Sequence, residues 1–296
     1  MILGCNTHLI YIYIYIMKPT CSPANQEKNE TTCYTTKTLL KLKQLWNARH
    51  SDDKITTNEP IEIWNELRQR FSGVCQHEKC WLRQSFISNK VGHDILHYTF
   101  APDAPKSWKK NPNEWLSNYD ITSVMQQYEY KYNHFAFIGP SPIDFDKRIV
   151  NDKCVWDDLC EFNLSKCLKK GKRKIGVIFN TDPHNKGGEH WVSLFIDTTH
   201  DNPYIFYFDS AGDPILPEIL LFAQRVIQQA SKLNIHKQLY ENHPLQHQKS
   251  TTECGMYSLY MIIQLLTNTK TYTDFMTKRI PDKEIEHYRY TYFNHV

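Results

Sequence analysis

The sequence predicts an α+β fold with a central, mostly antiparallel sheet, a buried helix and a helical N-terminal arm. Three runs carry the sheet: "KIGVIFNT" (Lys174–Thr181), "HWVSLFID" (His190–Asp197) and "YIFYFDSA" (Tyr204–Ala211), all rich in β-branched and aromatic residues. The connections between them, "DPHNKGGE" and "TTHDNP", are short and made of turn residues, which favours an antiparallel meander. The run "CGMYSLYMIIQLL", starting at Cys254, is apolar on nearly all sides, as a helix in the centre of a domain must be.

The other elements follow in chain order. "LIYIYIYIM", Leu9 to Met17, is what a TATATA repeat encodes when translated, so residues 1–16 are expected to be an over-extended start and Met17 the first residue. Residues 17–105 form the N-terminal arm, with a weak helix at Thr38–Ala48. Pro60 opens a second one, where Ile61, Trp64, Leu67 and Phe71 fall at helical spacing. A second domain, 106–296, begins within the proline-bearing stretch Ala101–Pro112 that separates it from the arm. It starts with a turn and helix in "NEWLSNYDITSVMQQYEYKY". After the meander come a helix at Pro214–Leu233, a strand in "HKQLYENH", the Cys254 helix, and a last helix near Pro281.

Composition narrows the function. A net charge of +3 over 296 residues is too mild to call for a nucleic-acid partner, and the basic cluster Lys169 to Lys174 reads as a solvated loop. No run is long enough to span a membrane, since Met256–Leu266 is short and contains Gln264. Nine cysteines without a regular framework suggest free thiols in a reducing compartment. Cys75, His77 and Cys80 have irregular spacing for zinc and lack a second pair, so they read as buried thiols and a histidine near Trp81. No metal and no cofactor is expected.

Chemistry concentrates around Cys254, where a polar loop becomes an apolar helix. The first turn of a helix presents unpaired N–H groups and the positive dipole end, and both favour a thiolate. Gly255 leaves room for a substrate carbonyl. His190, at a strand mouth behind Gly187 and Gly188, is placed to act as general base. Asp197, Asp209 and Asp213 are candidates to orient it. If Asp197 pairs with Tyr204, Val192 lies opposite Asp209, which becomes a diagonal neighbour of His190. Asp197 then sits roughly 23 Å away at about 3.3 Å per residue, and Asp213 lies off the strand, so Asp209 is selected. Gln246 and Gln248 each qualify as a side-chain donor to an oxyanion.

His-Trp at a strand start, an aspartate ending the next strand, then a glutamine and Cys-Gly at a helix start resemble the SUMO-specific cysteine peptidases of the adenovirus-protease clan. "HQKSTTECGMYSLYMI", "VIFNTDPHNKGGEHWVSLFID" and "KRIPDKEIEHYR" look like the polyprotein-processing proteases of African swine fever virus and related large DNA viruses. The similarity runs from about Trp108 to Phe293, and viral members carry a helical N-terminal extension. It implies a papain-like or adenain-like protease fold and cleavage after Gly-Gly, in a viral polyprotein or a ubiquitin-like protein. It also implies residence in host cytoplasm and virion. The glutamine six residues before the cysteine completes the oxyanion hole in the family, which selects Gln248. The third catalytic position varies among Asp, Asn and Glu. Trp115, in "EWLSN", and Trp191 resemble two tryptophans that close over the substrate strand.

Overall fold

Alternating apolar residues send side chains to both faces of a sheet, and in this chain both faces are covered. The computed structural model describes residues 20–25, 31–199 and 203–295, so the expected over-extended start, Met1 to Ile16, lies outside the described residues. The chain divides into two units. One holds the residues up to Ala104 together with those from Tyr290 onward, and the other is Pro105–Arg289.

In the first unit, α1 (Thr36–Arg49) is capped by Thr35, whose side chain accepts from the Thr38 N–H. Helix α2 (Pro60–Phe71) takes proline in its first turn and buries Ile63, Leu67 and Phe71, while Ile61 is exposed. Trp81 stacks on Phe71 and Tyr34, with ring centroids 5.4 and 5.7 Å away. Glu78 is buried among these rings, where an unpaired carboxylate would be costly. It is satisfied by Thr32, by the Cys33 N–H at 2.9 Å and by the Trp64 indole at 2.8 Å. Asn294 joins the unit by bonding both its backbone groups to Pro102 and Ala104.

The second unit holds a five-stranded sheet in the order β1-β2-β3-β4-β5. The strands are β1 (Phe135–Pro142), β2 (Lys174–Asn180), β3 (Trp191–Asp197), β4 (Tyr204–Phe208) and β5 (Gln238–Glu241). The β2-β3-β4 meander is antiparallel, as expected, but β1 and β5 add parallel pairings at the two edges. Parallel neighbours need crossovers, and these are the long β1–β2 excursion and α4 (Pro217–Ser231) between β4 and β5. The sequence reading missed β1, which contains Gly139, Pro140 and Pro142 and is broken by a register shift between Ile138 and Ser141. Prolines are tolerated there because the strand lies at an edge.

One sheet face presents Ile175, Val177, Val192, Leu194, Ile205 and Tyr207 to Phe222 and Val226 of α4. The other carries α5 (Cys254–Leu266), which is buried along its whole length. At Gly176 an added Cβ would lie 2.8 Å from Ile262 of α5, so strand and helix meet without a side chain between them. Helix α3 (Asn118–Lys131), with a Ser117/Asp120 capping box, packs against both β1 and α5.

The cysteine reading changes. Six cysteines expected as free thiols are bridged, as Cys21–Cys33, Cys75–Cys80 and Cys154–Cys160. Their partners lie at most 12 residues apart. Among the described residues Cys167 and Cys254 remain free.

Lys174 and Asp197 form a buried pair, Nζ to Oδ2 3.4 Å. The same ammonium donates to the Leu265 and Leu266 carbonyls at 3.2 and 3.4 Å, closing the C-terminal end of α5 where a cation is favoured. Lys174→Met should therefore cost about 3 kcal/mol in a urea denaturation, because it removes the ion-pair partner of a buried carboxylate and uncaps α5.

Candidate active site

The head of α5 places Cys254 in the interior, 2% exposed, with Glu253 as the capping residue before it. His190 immediately precedes β3 and Asp209 immediately follows β4, so both stand at the same end of the sheet. The observed register pairs Asp197 with Tyr204 and Ser193 with Phe208. That pairing brings His190 Nε2 to 2.7 Å from Asp209 Oδ1. Asp209 is held in turn: its Oδ1 also accepts from the Ala211 N–H at 2.8 Å. The Asn242 side chain bonds both backbone groups of Asp209, at 2.8 and 2.7 Å.

The Cys254 side chain also acts on the His190 imidazole. Burial alone would lower the imidazole pKa. The hydrogen bonds to Asp209 and Cys254, and then their charges, outweigh burial and hold it up at about 10. The imidazolium is therefore the favoured form at neutral pH, opposite a cysteine at a helix N-terminus.

Gln248 is buried in the loop leading to α5, whereas Gln246 is exposed. The Gln248 side-chain carbonyl accepts from Ser210 Oγ at 2.7 Å, and its amide donates to the Ser250 carbonyl at 2.8 Å. Its backbone N–H reaches the Ser210 carbonyl at 2.8 Å. The loop can approach this closely because Gly212 has φ +80° and no side chain; a Cβ there would lie 2.8 Å from the Gln246 nitrogen. Farther along, the Asp282 carboxylate accepts from the Lys249 N–H at 3.1 Å and from Ser250 Oγ at 3.2 Å. His247 bridges the Phe275 carbonyl and the Ile280 N–H from inside the core.

The two tryptophans are anchored on the same side of this assembly. Trp115 is 43% exposed and its indole donates to the Thr251 carbonyl at 2.9 Å. Trp191 is buried, and its indole donates to the Leu116 carbonyl at 3.1 Å. Gly255 differs from the sequence reading, which assigned its missing side chain to a substrate carbonyl. A Cβ there would sit 3.1 Å from both Leu116 and Trp191, so the space is used by packing. A cleft of about 280 Å³ opens beside Trp191, lined by Pro140, Pro142, Trp156, His184 and Gly188 among others.

Asp197 and Asp213 stand elsewhere. Asp197 pairs with Lys174 at the far end of β3, and Asp213 is exposed. Cys75 and Cys80 are consumed by their mutual bridge. Ser210, Asn242 and Leu116 support the site and were missed from sequence. Ser210 adjoins Asp209, yet nothing in "FDSAG" or "YENH" distinguishes an anchoring serine or asparagine from a turn residue.

A family model described as YopJ Serine/Threonine acetyltransferase matches residues 150–293, just under half of the chain and inclusive of His190, Asp209 and Cys254. A putative thiol protease of Acanthamoeba polyphaga mimivirus is 28% identical over 292 residues, covering 92% of this chain and 92% of its own. The SUMO-1 cysteine protease of African swine fever virus is 28% identical over 240 residues, covering 77% and 86%. A crystal structure of the African swine fever virus protease superposes with a TM-score of 0.64 at 23% identity, covering 95% of this chain and 98% of that one, and so shares the fold.

The His190 geometry fixes a pH signature. With a folded pKa raised from the ordinary 6.5 to about 10, protonated His190 stabilises the fold fully below 6.5, and this contribution is lost as pH rises towards 10. Asp209→Asn removes one cause of the rise. Thermal melts should show wild type exceeding D209N by more at pH 6 than at pH 10.

Proposed function

We propose that this cysteine protease is a SUMO-protease-like endopeptidase cutting after Gly-Gly. On this reading it matures a viral structural polyprotein at host cytoplasmic assembly sites and is carried in the virion. One observation carries the mechanism: His190 bonds Asp209 and is acted on by Cys254 at the head of a buried helix. With His190 already holding the proton as the imidazolium, the Cys254 thiolate attacks the scissile carbonyl. The tetrahedral intermediate collapses as His190 returns the proton to the leaving amine, and a thioester forms. Water, deprotonated by His190, then hydrolyses it. The Gln248 amide and the Cys254 backbone N–H serve as oxyanion donors, and Asp209 holds the imidazole in orientation.

The Gly-Gly demand is supported by the anchored pair Trp115 and Trp191. The Trp115 indole is fixed to the Thr251 carbonyl and the Trp191 indole to the Leu116 carbonyl, and a peptide without Cβ atoms is the one that passes most closely between two such fixed rings. The name of the African swine fever virus relative favours a SUMO-like modifier as a second substrate class, with deconjugation as the reaction. The acetyltransferase description of the matching family model favours a third outcome, in which Cys254 takes an acetyl group from an acetyl-thioester donor, releasing the donor thiol, and passes it to a serine or threonine hydroxyl. An inert site that only binds such partners is the remaining alternative.

Matched peptides, Gly-Gly and Ala-Gly before the cut, separate these readings. Wild type should cleave the first and reject the second, and Trp115→Ala should lose rate while discriminating less. Cys254→Ser and His190→Ala should abolish cleavage, and Gln248→Ala should lower kcat by about 10²-fold. Equal cleavage of both peptides sinks the Gly-Gly assignment. Cleavage of a SUMO-like precursor, or a mass gain on an acceptor protein without new N-termini, would move the assignment to the second or third class.

A further inference from the structure

The buried pair Glu253–Arg289 lies directly behind the nucleophile. Arg289 is 2% exposed and Glu253 fully buried. The guanidinium grips the carboxylate with both edges, Nε to Oε2 3.0 Å and Nη2 to Oε1 2.9 Å. Nη2 also donates to the Glu114 carbonyl at 2.9 Å, one residue before Trp115. The guanidinium carbon stands 4.4 Å from the centroid of the Trp108 ring, which covers the group. Glu253 itself closes the first turn of α5, its carbonyl accepting from the Tyr257 N–H at 2.9 Å.

A carboxylate one residue from a thiolate, at a helix head and out of water, would oppose ionisation of the thiol. The chain has an anion there and supplies its partner from 36 residues away. We propose that Arg289 is a positioning residue for Cys254: it cancels the Glu253 charge behind the nucleophile and ties Glu253 to the backbone leading into Trp115. Other charges face the same corner. Glu286 acts on Glu253, His190 stands against Cys254, and Asp282, Arg279 and Glu253 all act on Tyr257 one turn along α5. None of these besides Arg289 is a cation bonded to Glu253 among the described residues.

The inference rests on Cys254 being the nucleophile, and its test needs no substrate. Alkylation of Cys254 by iodoacetamide in the full chain, followed by mass spectrometry across pH, reports thiolate formation. Glu253→Gln leaves Arg289 uncompensated and should lower the midpoint by about one pH unit, whereas Arg289→Met bares the carboxylate and should raise it by about as much. R289M/E253Q should return the midpoint towards wild type even if it melts earlier, a recovery that lost packing alone cannot give. If R289M fails to fold, E253Q decides. Unchanged midpoints in E253Q and in any folded R289M overturn the proposal. A wild-type Cys254 that alkylates no faster than Cys167 removes the nucleophile and the inference together, whereas a wrong Gly-Gly assignment leaves these midpoints untouched.

Discussion

The antiparallel pairing of β3 with β4 is the constraint on which the site depends. With Ser193 opposite Phe208, Asp209, the residue after β4, comes to bonding distance of His190, the residue before β3. A slip by one residue would turn each side chain to the other face and replace Asp209 by Phe208 or Ser210 as the neighbour of His190. The register is held by apolar residues on both faces, with α4 on one and α5 on the other, so the hydrogen bond is inherited from the packing of the whole sheet.

Helix α5 is the second fixed part. Its ends are tied by ionic contacts: Lys174 donates to carbonyls at the C-terminal end, and Arg289 grips Glu253 at the head. A buried helix without such ties would leave terminal backbone groups unsatisfied in the interior. The tie at the head also sets where the thiol lies relative to the imidazole, which links stability to reactivity at one residue.

Much of this was legible in the sequence because it follows from short-range pattern. Alternation marks the meander, turn residues mark its hairpins, and the polar-to-apolar switch at Cys254 marks the helix. The choice of Asp209 over Asp197 needed only hairpin register. What stayed hidden depends on distant partners. β1 carries two prolines and pairs across a long excursion. Gly255 looks like room for substrate until Leu116 and Trp191 are placed beside it. The bridged cysteines show no framework in sequence. Glu253 and Arg289 read as ordinary charged residues of a loop and a tail, and only the fold makes them neighbours. Between Gln246 and Gln248 the residues alone gave no preference; burial and the Ser210 anchor separate them.

Asp209 and Ser210 are adjacent, yet one steadies the base and the other fixes the loop of Gln248. Proton transfer and anion stabilisation are thus hung from a single peptide unit. A chain in which β3 and β4 are not yet paired lacks the His190–Asp209 bond. Newly made copies would stay harmless to their neighbours until folding is complete, with the timing of activity set by the slowest pairing of the sheet.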